Sequence, residues 1–194
     1  MPRAFVAVTL PLAVRSTLVA CRQSFIEADP QWHGEKWVAE ENLHITLRFL
    51  GIVPDALIPH VDEAVREAVA DREPYHLRLD GVRAIPRPRS ASLVWIQPST
   101  GGEEAAALAG AIADATSFLE FEPEGHRFRT HVTLCRARHP RRVITPSLDA
   151  VEHILRRSED RAVAMSVREV TLFSSTLTPR GPVYEELAII PLGR

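Results

Sequence analysis

Two short stretches hold the residue types that can do chemistry. Leu43-His44-Ile45-Thr46-Leu47 and His131-Val132-Thr133-Leu134 each set a histidine two residues before a threonine, inside a run that is otherwise apolar and β-prone. Successive strand side chains point to opposite faces, so His44 and Thr46 share one face, roughly 7 Å apart, and Leu43, Ile45 and Leu47 share the other. The second run sorts the same way, with Val132 and Leu134 opposed to His131 and Thr133. An imidazole and a hydroxyl are costly to bury without partners, so both pairs are expected to line a cleft. Two imidazoles with two hydroxyl donors suit general acid–base chemistry on an anion. A single histidine of this kind is most simply a core residue satisfied by the backbone; a matched pair is a site.

The composition sets the frame around them. With 194 residues, 45% hydrophobic and 25% charged, the chain suits one sizeable domain or two small fused lobes. A formal net charge of −2 gives no polybasic footprint for duplex binding, so any nucleic-acid contact should be local. Cys21 and Cys135 fit neither a metal-ligand spacing nor a disulfide framework. The opening residues do not resemble a signal peptide, and no apolar stretch approaches the ~20 residues that span a bilayer. A cytoplasmic monomer is the expectation.

The positioning elements follow in order. Ala4 to Val8 reads as a buried strand, and Pro11 opens a helix carrying Val14, Leu18, Cys21 and Phe25. Ala28 to Glu35 is polar and turn-rich, and Trp37-Val38 leads into the first histidine strand, which Gly51 closes. Pro54-Asp55 opens a second helix with Ile58, Val61, Val65 and Val69 inward; Leu77–Val82 and Leu93–Ile96 read as strands around a Pro86–Arg89 turn. Gly101-Gly102 is the candidate hinge. A third helix then carries Leu108, Ile112, Ala115 and Leu119, and the second histidine strand follows. Pro146 begins a fourth helix with Leu148, Val151 and Leu155, and Met165–Phe173 and Val183–Ile190 close the chain as two strands.

Laid side by side, the halves 1–100 and 101–194 share an order of helix, His-x-Thr strand, helix, strand, turn and strand. The expected architecture is therefore α+β: a single bilobal domain of two lobes related by an approximate two-fold, antiparallel sheets with outer helices around a central cleft. The two-fold gives motifs 87 positions apart (131 − 44) a reason to act together.

These residues resemble the 2H phosphoesterase superfamily, and within it the bacterial and archaeal RNA 2′,3′-cyclic phosphodiesterases, also called 2′–5′ RNA ligases. The likeness runs from Phe5-Val6-Ala7-Val8 and Leu10-Pro11 through Trp37-Val38 and Asn42 to Gly51. It continues through Val94-Trp95, Arg127-Phe128 and His131 to Arg136, then Thr171 to Ser175 and the Gly181-to-Tyr184 segment. One departure stands out: the family usually has proline directly before the second histidine, where this chain has Thr130. The resemblance implies hydrolysis of an RNA 2′,3′-cyclic phosphate to a 2′-phosphate without metal or cofactor, and for some members 2′–5′ joining of tRNA-half-like ends. It implies His44 and His131 as the catalytic pair, with His131 inclined to the base and His44 to the acid, an assignment that a pseudo-symmetric site leaves open.

Thr46 and Thr133 are then phosphate-oxygen donors. Arg136 joins them from a His-x-Thr-x-x-Arg pattern, although strict alternation points it away from His131, so the strand must end or bulge there. Arg48 falls on the His44 face by alternation, and Arg127 is a further candidate substrate contact. Cys135, on the His131 side by the same alternation, is read as packing, not as a nucleophile. Trp95 and Tyr184 are possible base-stacking residues, with Trp95 better placed in the core. Three rivals differ in kind: an RNA-end binding module without catalysis, a metal-dependent phosphodiesterase, and an enzyme for a cyclic nucleotide or ADP-ribose cyclic phosphate. Intact histidines and threonines oppose the first, and the absence of a matched acidic set around Glu40 and Glu41 opposes the second.

Overall fold

The structure is a computed structural model that describes residues 3–119, 128–179 and 181–193. Its first seven elements are β1 (Arg3–Thr9), α1 (Leu12–Ala28), β2 (Lys36–Trp37), β3 (His44–Ile52), α2 (Ile58–Val69), β4 (Tyr75–Ile85) and β5 (Ala91–Thr100). The rest are α3 (Gly102–Ala115), β6 (Val132–Arg141), α4 (Thr145–Arg157), the single turn α5 (Asp160–Val163), β7 (Ala164–Val167), β8 (Glu169–Thr178) and β9 (Gly181–Pro191). The helices bury the residues that a 3.6-residue period selects: Val14, Leu18, Cys21 and Phe25 of α1, Val61, Val65 and Val69 of α2, and Val151 and Leu155 of α4. None of the described helices is long and apolar enough to cross a membrane.

The strands form two antiparallel sheets, ordered β3-β1-β8-β9 and β2-β6-β5-β4-β7. Two units of identical plan emerge, β1-α1-β3-α2-β4 and β5-α3-β6-α4-β8. In each, the histidine strand pairs with the unit's first strand. The last strand crosses to the other sheet and pairs there with the other unit's first strand, β4 with β5 and β8 with β1. The lobes thus exchange strands, and each sheet takes strands from both halves of the chain.

This exchange also corrects the single strand expected over Met165–Phe173. Met165 pairs with Leu77 in one sheet and Val170 with Ile190 in the other, with Arg168 between the two strands. An alternating apolar run does not reveal that its partners change midway.

One apolar core joins the two lobes, from Ala4, Val6 and Val8 of β1 to Leu77 and Leu79 of β4 and Val132 of β6. The polar stretch Ala28–Glu35 contains a buried anchor that its composition hides. Trp32 has no exposed surface, meets Phe25 edge-on at 5.4 Å and donates its indole N–H to the Arg142 carbonyl at 3.2 Å. Gly101 is confined more tightly still. Its φ is +81°, and a Cβ placed there would stand 2.3 Å from the His76 carbonyl oxygen and 2.8 Å from Leu77 Cα.

Gly101→Ala should therefore destabilise the protein by at least about 1–2 kcal/mol, the cost of left-handed backbone for an L residue, before the backbone clash is added. Urea unfolding followed by circular dichroism measures it, and an unchanged midpoint would contradict the confinement.

Candidate active site

Each histidine strand is built to serve two faces. Leu43, just before β3, and Ile45 and Leu47 within it are buried in the core, each contributing roughly 1.5–3 kcal/mol by leaving water, while His44 and Thr46 between them are half-buried. Against β1, His44 stands opposite Thr9 and Thr46 opposite Ala7. The next pair is Arg48 with Val6, so Leu47 is an extra residue, a β-bulge. In β6 the same thing happens at the same place. Thr133 stands opposite Trp95 and Cys135 opposite Val94, which makes Leu134 the extra residue.

The bulges decide which side chains reach the cleft beyond each motif. Past Leu134 the alternation is reset: Cys135 turns into the core and Arg136 comes round to the Thr133 side, as the motif pattern required. Past Leu47 the reset brings Phe49 to the cleft. Arg48, expected on the His44 face, does not line it. Cys135 is likewise off the face that plain alternation gave it, and burial pushes its thiol up to about 12, which leaves it an inert packing group.

The faces meet in a cavity of about 180 Å³ lined by His44, Thr46 and Phe49 from β3, by His131 just before β6, and by Thr133 and Arg136 of β6. Phe5, Val38, Asn42, Ser175 and Tyr184 complete the wall. Both imidazoles are held identically. His44 Nδ1 lies 2.7 Å from the Asn42 carbonyl, and His131 Nδ1 lies 2.7 Å from the Arg129 carbonyl. A carbonyl only accepts, so in each ring Nδ1 carries the proton and donates, which makes Nε2 the basic nitrogen of the neutral form. His44 Nε2 accepts from the Thr46 hydroxyl at 2.9 Å.

The loops that supply these carbonyls are themselves tied down. The Asn42 amide donates to the Pro182 carbonyl at 3.0 Å. The Thr130 hydroxyl donates to the Gly102 carbonyl at 2.9 Å, so a hydrogen bond anchors the approach to His131.

The ring neighbours differ between the two sides. His44 packs against Phe5 at 5.0 Å and meets Tyr184 edge-on at 5.5 Å, whereas His131 lies over Trp95 at 4.1 Å. Burial holds the His44 pKa below the ordinary histidine value; the hydrogen bond to Asn42 opposes this, and the charges of Arg136 and His131 reinforce it. Burial also raises the Tyr184 phenol. The free site is thus an electropositive cavity in which His44 rests neutral.

The sequence-derived residues sort cleanly by position. His44, Thr46, His131, Thr133 and Arg136 come together, Arg48 stays outside the lining, and Arg127 lies outside the described residues. Trp95 is buried, as expected. Phe49, Asn42 and Ser175 were not singled out. Phe49 is legible only once the bulge is known, and Asn42 orients His44 through a backbone carbonyl that any residue carries while its side-chain amide ties the loop to Pro182. Among the described residues no group of three His, Cys, Asp or Glu side chains is placed to hold a metal ion.

Comparison with known proteins gives the chain a family and a fold. A family profile described as the 2′-5′ RNA ligase superfamily matches residues 11–178. An RNA 2′,3′-cyclic phosphodiesterase of Methanothermobacter thermautotrophicus is 29% identical over 194 residues, covering 98% of each chain. One from Aeropyrum pernix is 33% identical over 153 residues, 78% of this chain and 83% of its own. A crystal structure from Thermus thermophilus aligns with a TM-score of 0.77 at 25% identity over 99% of both chains. Apo LigT of Escherichia coli aligns at 0.76 and 22% identity, covering 100% of this chain and 98% of its own, a likeness of fold.

The lowered pKa of His44 has a thermodynamic consequence. Below the unfolded value near ~6.5 the unfolded chain binds a proton that the folded chain resists, so this residue costs stability as pH falls. The stability of the parent relative to His44→Gln should therefore decline from pH 7.5 to 5 in urea titrations. A pH-independent difference would contradict a neutral, buried His44.

Proposed function

The chain belongs to the 2′-5′ RNA ligase superfamily, and we propose that it is a phosphodiesterase that opens the 2′,3′-cyclic phosphate at an RNA end, with His44 and His131 as the proton-transferring pair. The observation that carries this reading is the doubled arrangement itself: two imidazoles fixed by carbonyls at 2.7 Å, two threonines and Arg136 around one cavity.

A cyclic phosphodiester brings one negative charge. Thr46, Thr133 and Arg136 hold its non-bridging oxygens, and charge building on them in the transition state strengthens those same contacts. Displacement at phosphorus places the entering and leaving oxygens in line. Histidines on facing strands put a proton acceptor on one side of the phosphorus and a donor on the other. His131 takes the proton of the attacking water, and His44 gives its proton to the departing 3′-oxygen, leaving a 2′-phosphate. The resting His44 is neutral, so the substrate's own charge loads this acid: an anion beside the ring favours the imidazolium and offsets both burial and Arg136.

Digestion of an oligonucleotide ending in a 2′,3′-cyclic phosphate, with products resolved by phosphorus NMR, tests the reading. The expected product is the 2′-phosphate, and His44→Ala and His131→Ala should each lower turnover at least ~10²–10⁴-fold with the fold intact. A 3′-phosphate or a mixture would overturn the placement of the acid, and an alanine variant keeping more than about a tenth of the activity would overturn the pairing.

Loading of the acid by substrate predicts different alkaline limbs in the pH profiles. The limb of kcat/KM reports His44 in the free protein and should fall below the ordinary histidine value, while the limb of kcat reports the complex and should lie higher. Coincident limbs would show that the bound anion does not raise this group.

A further inference from the structure

A strip of cations leaves the pocket along β6. Arg136 lines the cavity, and Lys36, exposed, stands directly opposite it across the β2–β6 pair. Residues 136–142 read Arg-Ala-Arg-His-Pro-Arg-Arg, without an acidic residue, in a chain whose net charge is −2. Beyond Arg136 the strand swings out of its ladder. Leu93 pairs with Arg136 and Ala91 with Arg141, so residues 137–140 oppose Ser92 alone. The Val143 amide then donates to the Pro88 carbonyl at 2.7 Å, which brings Arg87 and Arg89 of the β4–β5 turn beside Arg142.

The local counter-charge is already committed. Glu35 accepts from the Arg138 amide at 2.7 Å and pairs with Arg141, whose guanidinium also lies 5.3 Å from the Trp32 ring centre. Those contacts hold the strip in place. Arg87, Arg89 and Arg142 are exposed, and neither they nor Lys36 form a salt bridge among the described residues. Like charges set opposite each other in a sheet are destabilising, and Lys36 opposite Arg136 is such a pair. An anion lying along them removes that cost, and the five cations Lys36, Arg87, Arg89, Arg136 and Arg142 are more than one phosphate needs.

We propose that this strip binds the phosphodiester backbone of single-stranded RNA next to the cyclic end, so that the protein acts on an RNA strand in preference to a mononucleotide. The inference rests on the cyclic-phosphate reading of the pocket. Exposed arginines in water act through charge and counterion release, so their contribution belongs to KM and to its salt dependence, not to the chemical step.

The test compares the parent with the triple variant Arg87→Gln/Arg89→Gln/Arg142→Gln on two substrates: an oligonucleotide with a 2′,3′-cyclic phosphate end and adenosine 2′,3′-cyclic phosphate. In the variant, KM for the oligonucleotide should rise on the order of tenfold at low salt and lose most of its salt dependence. Constants for the mononucleotide, which also report folding, should stay within about twofold. Equal oligonucleotide constants in parent and variant would overturn the strip. Anisotropy of a labelled oligonucleotide bearing a 2′-phosphate end reads binding without turnover. If the parent turns over neither substrate yet binds this probe more tightly than the variant does, the strip stands and the reading of the pocket fails. If the variant binds it equally well, the strip fails.

Discussion

The site depends on a strand that is core on one face and chemistry on the other. Leu43, Ile45 and Leu47 hold β3 in place only if they are buried, and that burial fixes which way His44 and Thr46 look. A shift of one residue would bury the imidazole and expose the leucines, so hydrophobic packing sets the register of the side chains that line the cavity. Plain alternation alone would have sent the fifth residue after each histidine inward. One extra leucine after each threonine, Leu47 and Leu134, turns that residue back to the cleft without giving up a core position.

The two bulges give the repeat its asymmetry. Residues 49 and 136 occupy the same place in the two units, each five after its histidine, and one is phenylalanine and the other arginine. On the His44 side the wall is aromatic, with Phe5, Phe49 and Tyr184; across from it stands the guanidinium. A two-fold symmetric cavity would hold an unsymmetrical ribose phosphate in either of two orientations. Charge on one wall and rings on the other separate those orientations in energy, so the same folding plan used twice yields a cavity with two unlike walls.

Much of this was legible in the residues. The histidine strands, the helices and their buried faces follow from periodicity, and the need for a bulge before Arg136 follows from a conflict between alternation and motif. Other features were hidden, for definite reasons. The bulge at Leu47 left no such conflict, because Arg48 offered a plausible polar residue on the expected face and alternation turned Phe49 towards the core. The break at Arg168 was invisible because both halves of the run are good strands, and only their partners differ. Trp32 sits among polar neighbours, so its burial depends on an aromatic contact to Phe25 and a carbonyl of Arg142, 110 residues away.

The exchange of strands bears on how the site stays formed. Had each lobe closed on its own half of the chain, the cleft would be an interface between two bodies, free to open at the linker. Here β4 completes the ladder begun by β5, and β8 completes the ladder begun by β1, so parting the lobes would strip backbone hydrogen bonds from both sheets. Each such bond left buried without a partner costs about 1–3 kcal/mol. The carbonyls of Asn42 and Arg129, which orient the imidazoles, belong to loops pinned on either side of that junction by Pro182 and Gly102. Groups held this way are oriented before any ligand arrives, which is the condition under which fixed dipoles act on developing charge most.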